Sequence, residues 1–273
     1  MRRLLPSLAV NGLLVLAAAL ALAPLLWMVS VSFMRPGEAD SFPPPLLPSA
    51  PSLVAYQELF ARHGMGRYFA NSLFLASAAT ALSLVFNVMA GYAFAKLRFA
   101  GRDRTFQVLL GALVIPGQVA MIPLFLMLKP LGLVNNFGGV LVPTAAGVFG
   151  IFLVRQYALS IPDELLEAAR VDGASEFRLF RSIVLPALSP IMVTLATFTF
   201  LAAWNDFMWP LIVLSDERLY TLPLALASLS REHVQDSELM MAGAVVTVAP
   251  VLLLFVVLQR YYIRGLLAGS VKG

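Results

Sequence analysis

The sequence has no cysteine and only two histidines in 273 residues. The first absence excludes disulfides, thiolate metal sites and a cysteine nucleophile. The histidines, His63 and His233, are far apart, and neither an H-E-x-x-H pattern nor a carboxylate pair falls inside an apolar segment. The side chains a membrane enzyme would need are therefore missing. Charge is scarce as well: Asp, Glu, Lys and Arg make up 12% of the chain, against about 25% in soluble domains. The three lysines precede Leu97, Pro130 and Gly273, so no G-x-x-x-x-G-K-S/T occurs. Without that phosphate cradle the chain is expected to bind neither ATP nor any other cofactor itself.

Apolar runs fill the space that charge leaves. Hydrophobic residues make up 60% of the chain, and mean hydropathy is +0.85. The expectation is an all-α integral membrane protein with one membrane domain over 1–273. Six segments are long and apolar enough to span, at about 8–33, 70–95, 105–128, 138–159, 187–213 and 239–259. The first imitates a secretory signal, with Arg2 and Arg3 before an apolar run and Ala21-Leu22-Ala23 after it. Pro24 follows that cleavage-like site, and the run continues to Phe33, so it reads as a retained helix. The second segment, rich in Ala and Ser, suits close helix packing. Pro116, Gly117 and Pro123 break the third, and Pro143 interrupts the fourth. These prolines either bend helices around a pathway or simply shape packing.

Placing the N-terminus inside puts thirteen of the 19 basic residues in inner segments. That bias predicts cytoplasmic termini, and it explains the +4 net charge without a nucleic-acid surface. The first outer loop, about 34–69, carries FPPPLLPSAPS, which favours extended polyproline geometry. It reads as a stiff spacer or as a brace on the outer face. The last outer loop, about 215–238, holds Asp216, Glu217, Glu232, Asp236 and Glu238 against Arg218 and Arg231. Its mildly acidic surface either is solvated or receives a binding protein.

One stretch is unlike the rest. Residues 167–186, EAARVDGASEFRLFRSIVLP, concentrate charge between apolar segments. Ser160 to Asp163 fits a capping box with Pro162 in the first turn. Gly173 is placed to break the helix that follows. A second short helix is expected with Phe177, Phe180 and Val184 on one stripe, ended by Pro186. The reading is a helix–turn–helix across the membrane surface.

This stretch resembles the cytoplasmic EAA loop of ABC importer permeases. The matching positions are Glu167, Ala168, Ala169, Gly173, Ile183, Leu185 and Pro186, and Asp172 with Ala174 gives the DGA form of the sugar-permease branch. The resemblance implies six transmembrane helices with a cytoplasmic coupling loop, about 160–186, between the fourth and fifth. It also implies that Glu167 orients the first coupling helix, that Ala168 and Ala169 allow close approach, and that Gly173 makes the turn. Phe177 and Phe180 would anchor the second helix. The run W-N-D-F-x-x-P-L, from Trp204, Asn205 and Asp206 onward, is similar to sugar permeases too. A carboxylate beside aromatic rings suits sugar hydroxyls and a pyranose face. Equally, the tryptophans fit a membrane boundary, with Asp206 near a helix end. Asn87 and Gln118 either line the same path or bond between helices. The tail resembles the G-A-V-K-G ending of the maltose-type branch, with Ser270 in place of Ala.

The family then implies the permease subunit of an ATP-driven importer in a bacterial inner membrane, in contact with lipid and not with nucleic acid. A carbohydrate is the expected cargo, with an oligosaccharide favoured over a polyol or glycerol phosphate. Implied partners are a second, non-identical permease, an ATPase dimer using ATP and Mg, and an extracytoplasmic solute-binding protein. An ion-coupled secondary transporter and a membrane anchor without transport are the rival readings. Asp206 alone is thin support for ion coupling.

Overall fold

The computed structural model describes residues 4–232 and 236–270, with side chains described for 10–231 and 236–257. His233 and the end of the tail fall outside them. Every regular element among the described residues is helical. In order these are α1 (Leu4–Ser32), α2 (Val54–Ala61), α3 (Met65–Lys96), α4 (Arg102–Ala112), α5 (Gly117–Leu128), α6 (Phe137–Thr144), α7 (Val148–Ala158), α8 (Asp163–Val171), α9 (Glu176–Leu179), α10 (Leu185–Ala187), α11 (Ser189–Trp204), α12 (Met208–Val213), α13 (Leu222–Glu232) and α14 (Ser237–Ser270). A π turn over Phe180–Val184 joins α9 to α10, and a 3-10 turn covers Glu217–Leu219.

Four helical stretches are long and apolar enough to cross a membrane: Val10–Ser32, Met65–Lys96, Phe137–Ala158 and Ser237–Val257. Two bent pairs raise the number to as many as six: α4 with α5 at 104°, and the α9–α10 segment with α11 at 74°. The first bend falls at Pro116, whose backbone is extended (ψ 130°). Pro123 stays inside α5. The fifth apolar segment also differs from the sequence reading. Pro186 does not end a helix but sits within α10, and the chain bends at Leu188 instead. α10 runs on directly from the π turn, so the missing N–H of Pro186 withholds one helical bond there.

The chain forms two compact units, residues 1–69 with 222–256 and residues 70–221 with 257–273. In the first unit, none of the most apolar stretch of α1 is buried. A helix apolar all round and uncovered by its own chain suits contact with lipid or another subunit. The proline-rich segment after α1 is fastened rather than free. Ser52 N–H donates to the Phe33 carbonyl at 2.8 Å, and Ser30 Oγ donates to the Leu46 carbonyl at 2.6 Å. Tyr56 Oη donates to Ser32 Oγ at 2.9 Å. Glu38 accepts from the Arg35 and Ser49 amides at 3.0 and 2.6 Å, which holds its carboxyl below the usual range. Glu238, counted above with an acidic surface, is instead 1% exposed. Its Oε1 accepts from Ala39 N–H at 2.8 Å, tying the segment to the start of α14. The helices α2 and α13 lie in stretches the sequence reading left as loops.

In the second unit, α3 and α7 approach closely. A Cβ on Gly91 would stand 2.6 Å from Val154 Cβ and Cγ1 and 3.0 Å from the Arg155 amide nitrogen. A Cβ on Gly150 would run into the Asn87 amide. Small residues at such crossings let helix backbones meet in a membrane. One end of this pair is closed by Val88, Tyr92, Ala95, Val154 and Ala158, packed with Ile161, Leu166, Leu179, Val184 and Leu188. Arg155 joins there, its guanidinium 4.1 Å from the Phe106 ring centroid and its Nε donating to the Phe94 carbonyl. A second cluster gathers Leu75, Leu128, Val140, Trp209, Val213 and Leu214. There Asn71 Nδ2 reaches the Arg218 and Tyr220 carbonyls, each at 2.9 Å. Asn135 Oδ1 accepts from Ser215 and Asp216 N–H at 3.0 and 2.9 Å.

Because Val154 and the adjacent backbone cannot both retreat, Gly91→Ala is expected to destabilise the chain by about 1–3 kcal/mol. Thermal unfolding in detergent reads this, with Gly12→Ala, which would meet nothing within 4 Å, as a control that loses no stability.

Candidate functional site

The loop from α8 to α10 is built by local chemistry. Asp163 and Glu164 occupy the first turn of α8 and Arg170 the last, each charge suited to the helix dipole. Ser160 does not cap α8 as its spacing suggested. Its hydroxyl donates to the Tyr157 carbonyl at 2.7 Å. The same Tyr157 carbonyl also accepts the Ser160 N–H at 3.1 Å, and α8 begins only after Pro162, which leaves Ser160 two residues short of the cap position. The residue preceding α8 is Pro162, without a side-chain cap.

Gly173 ends α8 with φ +81°. Its N–H donates to the Arg170 carbonyl and that of Ala174 to the Ala169 carbonyl, both at 3.0 Å. This pair of bonds is a Schellman cap, and it needs a left-handed residue where Gly173 stands. Ser175 Oγ then accepts from Arg178 N–H at 3.3 Å, starting α9. Arg170 Nε donates to Glu176 Oε1 at 2.7 Å across the turn. That bond is the main reason the Glu176 carboxyl is held below its usual range.

The π turn redirects the side chains that follow. Leu179 and Val184 are fully buried. Phe180 is half-buried against Tyr92, ring centroids 5.2 Å apart. Phe177, placed by the sequence reading on one stripe with Phe180 and Val184, is instead 72% exposed. The π turn begins only at Phe180, so it is Val184 that it moves off the face of Phe177. Of the matched positions, Glu167, Ala168, Asp172, Gly173 and Pro186 are exposed, while Ala169, Ile183 and Leu185 are half-buried. With Val171 at 87% and Leu165 at 48% exposure, the loop presents large apolar groups to its surroundings.

Lys96 anchors the loop's beginning. Its Nζ donates to the Ile161 carbonyl and to Asp163 Oδ1, both at 2.6 Å. The bond from Lys96 is the largest influence holding the Asp163 carboxyl below its usual range.

A cavity of about 320 Å³ lies among α3, α6, α7 and α11, lined by Ser83, Asn87, Thr144, Phe149, Phe198, Thr199 and Asp206, among others. Asn87 Nδ2 donates to Ser83 Oγ at 2.7 Å. Ser83 Oγ lies 3.2 Å from Thr199 Oγ1. Asn87 Oδ1 is buried without a hydrogen-bond partner. Asp206 sits in the break between α11 and α12, not inside a helix, and its Oδ1 accepts from Trp209 N–H at 3.3 Å. A short polar side chain at that point satisfies an amide at the start of α12.

Only Asn87 and Asp206 of the suggested pathway residues line this cavity. Gln118 is exposed on α5. Asn205 Nδ2 donates back to the Leu201 carbonyl at 2.8 Å. Trp204 is fully buried, stacked on Phe200 at 5.8 Å, so its face is covered. Ser83, Thr144 and Thr199 were not singled out from sequence. The Ser83–Asn87 spacing of four was the available signal, because such pairs share a helix face.

Residues 87–267 match the family described as the binding-protein-dependent transport system inner membrane component. The chain belongs to that family. The match takes in α7, the 163–188 loop and the cavity walls from Asn87 onward. The arabinooligosaccharides transport system permease protein AraQ of Halalkalibacterium halodurans is 38% identical over 94% of this chain and 93% of its own. The lactose transport system permease protein LacG of Rhizobium radiobacter is 34% identical over 100% of this chain and 98% of its own. Among solved structures, a bacterial ABC transporter involved in the import of alginate matches with TM-score 0.85 and 25% identity. It covers 94% of this permease and 96% of that chain.

The left-handed turn makes a direct prediction. A side chain with Cβ at Gly173 costs about 1–2 kcal/mol, so Gly173→Val should open the loop about tenfold more often. Trypsin cleavage at Arg170, Arg178 and Arg181 is expected to accelerate accordingly, while Gly173→Asn, which tolerates this region, stays near the parent rate.

Proposed function

We propose that this permease is one half of the translocation pathway of an ATP-driven bacterial importer for an oligosaccharide, acting as a single membrane domain over 1–273. The observation that carries the sugar assignment is the near-full-length similarity to permeases named for arabinooligosaccharides and for lactose. A second, non-identical permease completes the pathway, and a solute-binding protein delivers the cargo outside. A pair of ATPase subunits hydrolyses ATP with Mg, and this chain contributes no residue to that chemistry. Both termini lie in the cytoplasm, as the basic-residue bias predicts.

The 160–186 loop is the coupling element. Glu167, Ala168, Asp172 and Phe177 face the ATPase subunit, supported by their exposure beside Val171. Gly173 sets the angle between the two short helices. Phe180, Ile183 and Leu185 seat the loop on the spans, supported by their packing against the buried cluster around Tyr92. ATP-driven movement of the loop rocks the spans between inward- and outward-open states. Asn87 and Asp206 meet passing hydroxyls on the pathway, an assignment supported by their place on the cavity wall.

Uptake of labelled arabinotriose tests this reading in the native host. Deleting the chain is expected to lower uptake at least tenfold, with recovery on return of the parent chain but not of Gly173→Asp. The tagged chain should bring down an ATPase and a second permease from gently solubilised membranes, and Gly173→Asp should lose the ATPase. Unchanged uptake after deletion would exclude arabinotriose as cargo. A chain that comes down alone would overturn the importer reading itself.

A further inference from the structure

Resting on the importer reading above, we infer that Lys96 is a positioning residue that transmits loop movement into α3, through its paired bonds to the Ile161 carbonyl and Asp163. Three observations carry this. Lys96 is the last residue of α3, and its side chain is 5% exposed although its partner Asp163 is 72% exposed. A lysine held out of solvent and bonded at 2.6 Å to both a carbonyl and a carboxylate is fixed in direction. Its two acceptors flank Pro162, at the junction where α7 ends and α8 begins.

The rest of the loop's seat is mostly apolar, Ile161, Leu166, Leu179 and Val184 against Tyr92 and Ala95, with the Tyr92 hydroxyl beside Glu176. Apolar contacts hold the loop down but are non-directional, so they resist sliding poorly. The Lys96 bonds supply the missing direction, so a push on α8 arrives at the end of α3 as displacement rather than slip. Nine residues back along α3, about 14 Å at helical rise, stands Asn87 on the cavity wall. Between them Gly91 is packed on Val154, which prevents α3 from rotating independently of α7. The route therefore runs from loop to Lys96, to α3, to the Asn87–Ser83 pair.

The absence of native cysteine allows a direct test. Spin labels are placed through Met89→Cys on α3 and Glu164→Cys on α8 in the assembled complex. Their separation is measured by pulsed dipolar spectroscopy, without nucleotide and with ATP plus vanadate. With Lys96 present, one narrow distance is expected in both states. Lys96→Met is expected to keep the narrow distance without nucleotide and to broaden it at least twofold with ATP plus vanadate. Asp163→Asn should broaden it less, because the Ile161 carbonyl still holds Lys96, and Lys96→Arg should restore the narrow distribution. A Lys96→Met distribution that stays narrow in both states overturns the inference. So does broadening already present without nucleotide, or failure of both Lys96→Met and Asp163→Asn to assemble, since either assigns the pair to folding alone. A parent chain that retains no ATPase on purification overturns the importer reading instead, and the inference with it.

Discussion

The approach of α3 to α7 at Gly91 and Gly150 is the constraint on which the second unit depends. Two helices that interlock through side chains seated on glycines, Val154 on Gly91 and Asn87 on Gly150, have little freedom in relative rotation. Their contact gains from dispersion and from close packing, because hydrocarbon tails give no hydrophobic drive between helices. Once that pair is set, the side chains it carries have fixed destinations. Val88, Tyr92 and Ala95 form the floor on which Leu166 and Leu179 sit. Asn87 is pressed beside Gly150 and turned toward Ser83. The loop at one end and the cavity midway along are thus held by one framework.

Polar groups in this framework are few, and most of those seen are used for geometry. Asn135 gathers two backbone amides after α12. Trp209 Nε1 donates to the Gly139 carbonyl at 3.0 Å. Asp206 satisfies an amide where α11 stops. In each case a backbone group that would otherwise lack a partner is supplied with one by a side chain. The same demand explains why a helix break can carry a carboxylate without a counter-charge beside it. The carboxylate replaces a missing backbone acceptor before it does anything else.

Much of this was legible in the sequence. The long apolar runs mark where the helices lie, since nothing but a helix satisfies its own backbone in lipid. The turn at Gly173 and the family were both readable from the 167–186 stretch. Local patterns failed where distant partners decided the outcome. Ser160 had the spacing of a cap, but it packs back on the end of α7 while α8 starts only after Pro162. Glu238 looked like a surface charge, yet it is buried against the Ala39 amide, 199 residues away. Phe177 had the period of a core residue, but a π turn three residues later changed the period. Trp204 and Asp206 are neighbours in sequence, yet the end of α11 between them sends one ring inward and the other group to the cavity. Lys96 counted only as one more basic residue, because its acceptors lie 65 and 67 positions further along.

The π turn at Phe180–Val184 gives this segment a one-residue tolerance in length. A π turn accommodates roughly one residue more than an α-helical turn over the same rise. Removing a single residue there would restore α geometry with little net rotation of the flanking helices, because the π turn already absorbs that residue; a second removal, from a plain α-helical turn, would rotate everything upstream by about 100° relative to α11. The exposed face of the loop would then point sideways, with every one of its side chains still present. Apolar exchanges at Ile183 or Leu185 preserve that aim, as does the loss of one peptide unit, whereas the loss of a second turns it away.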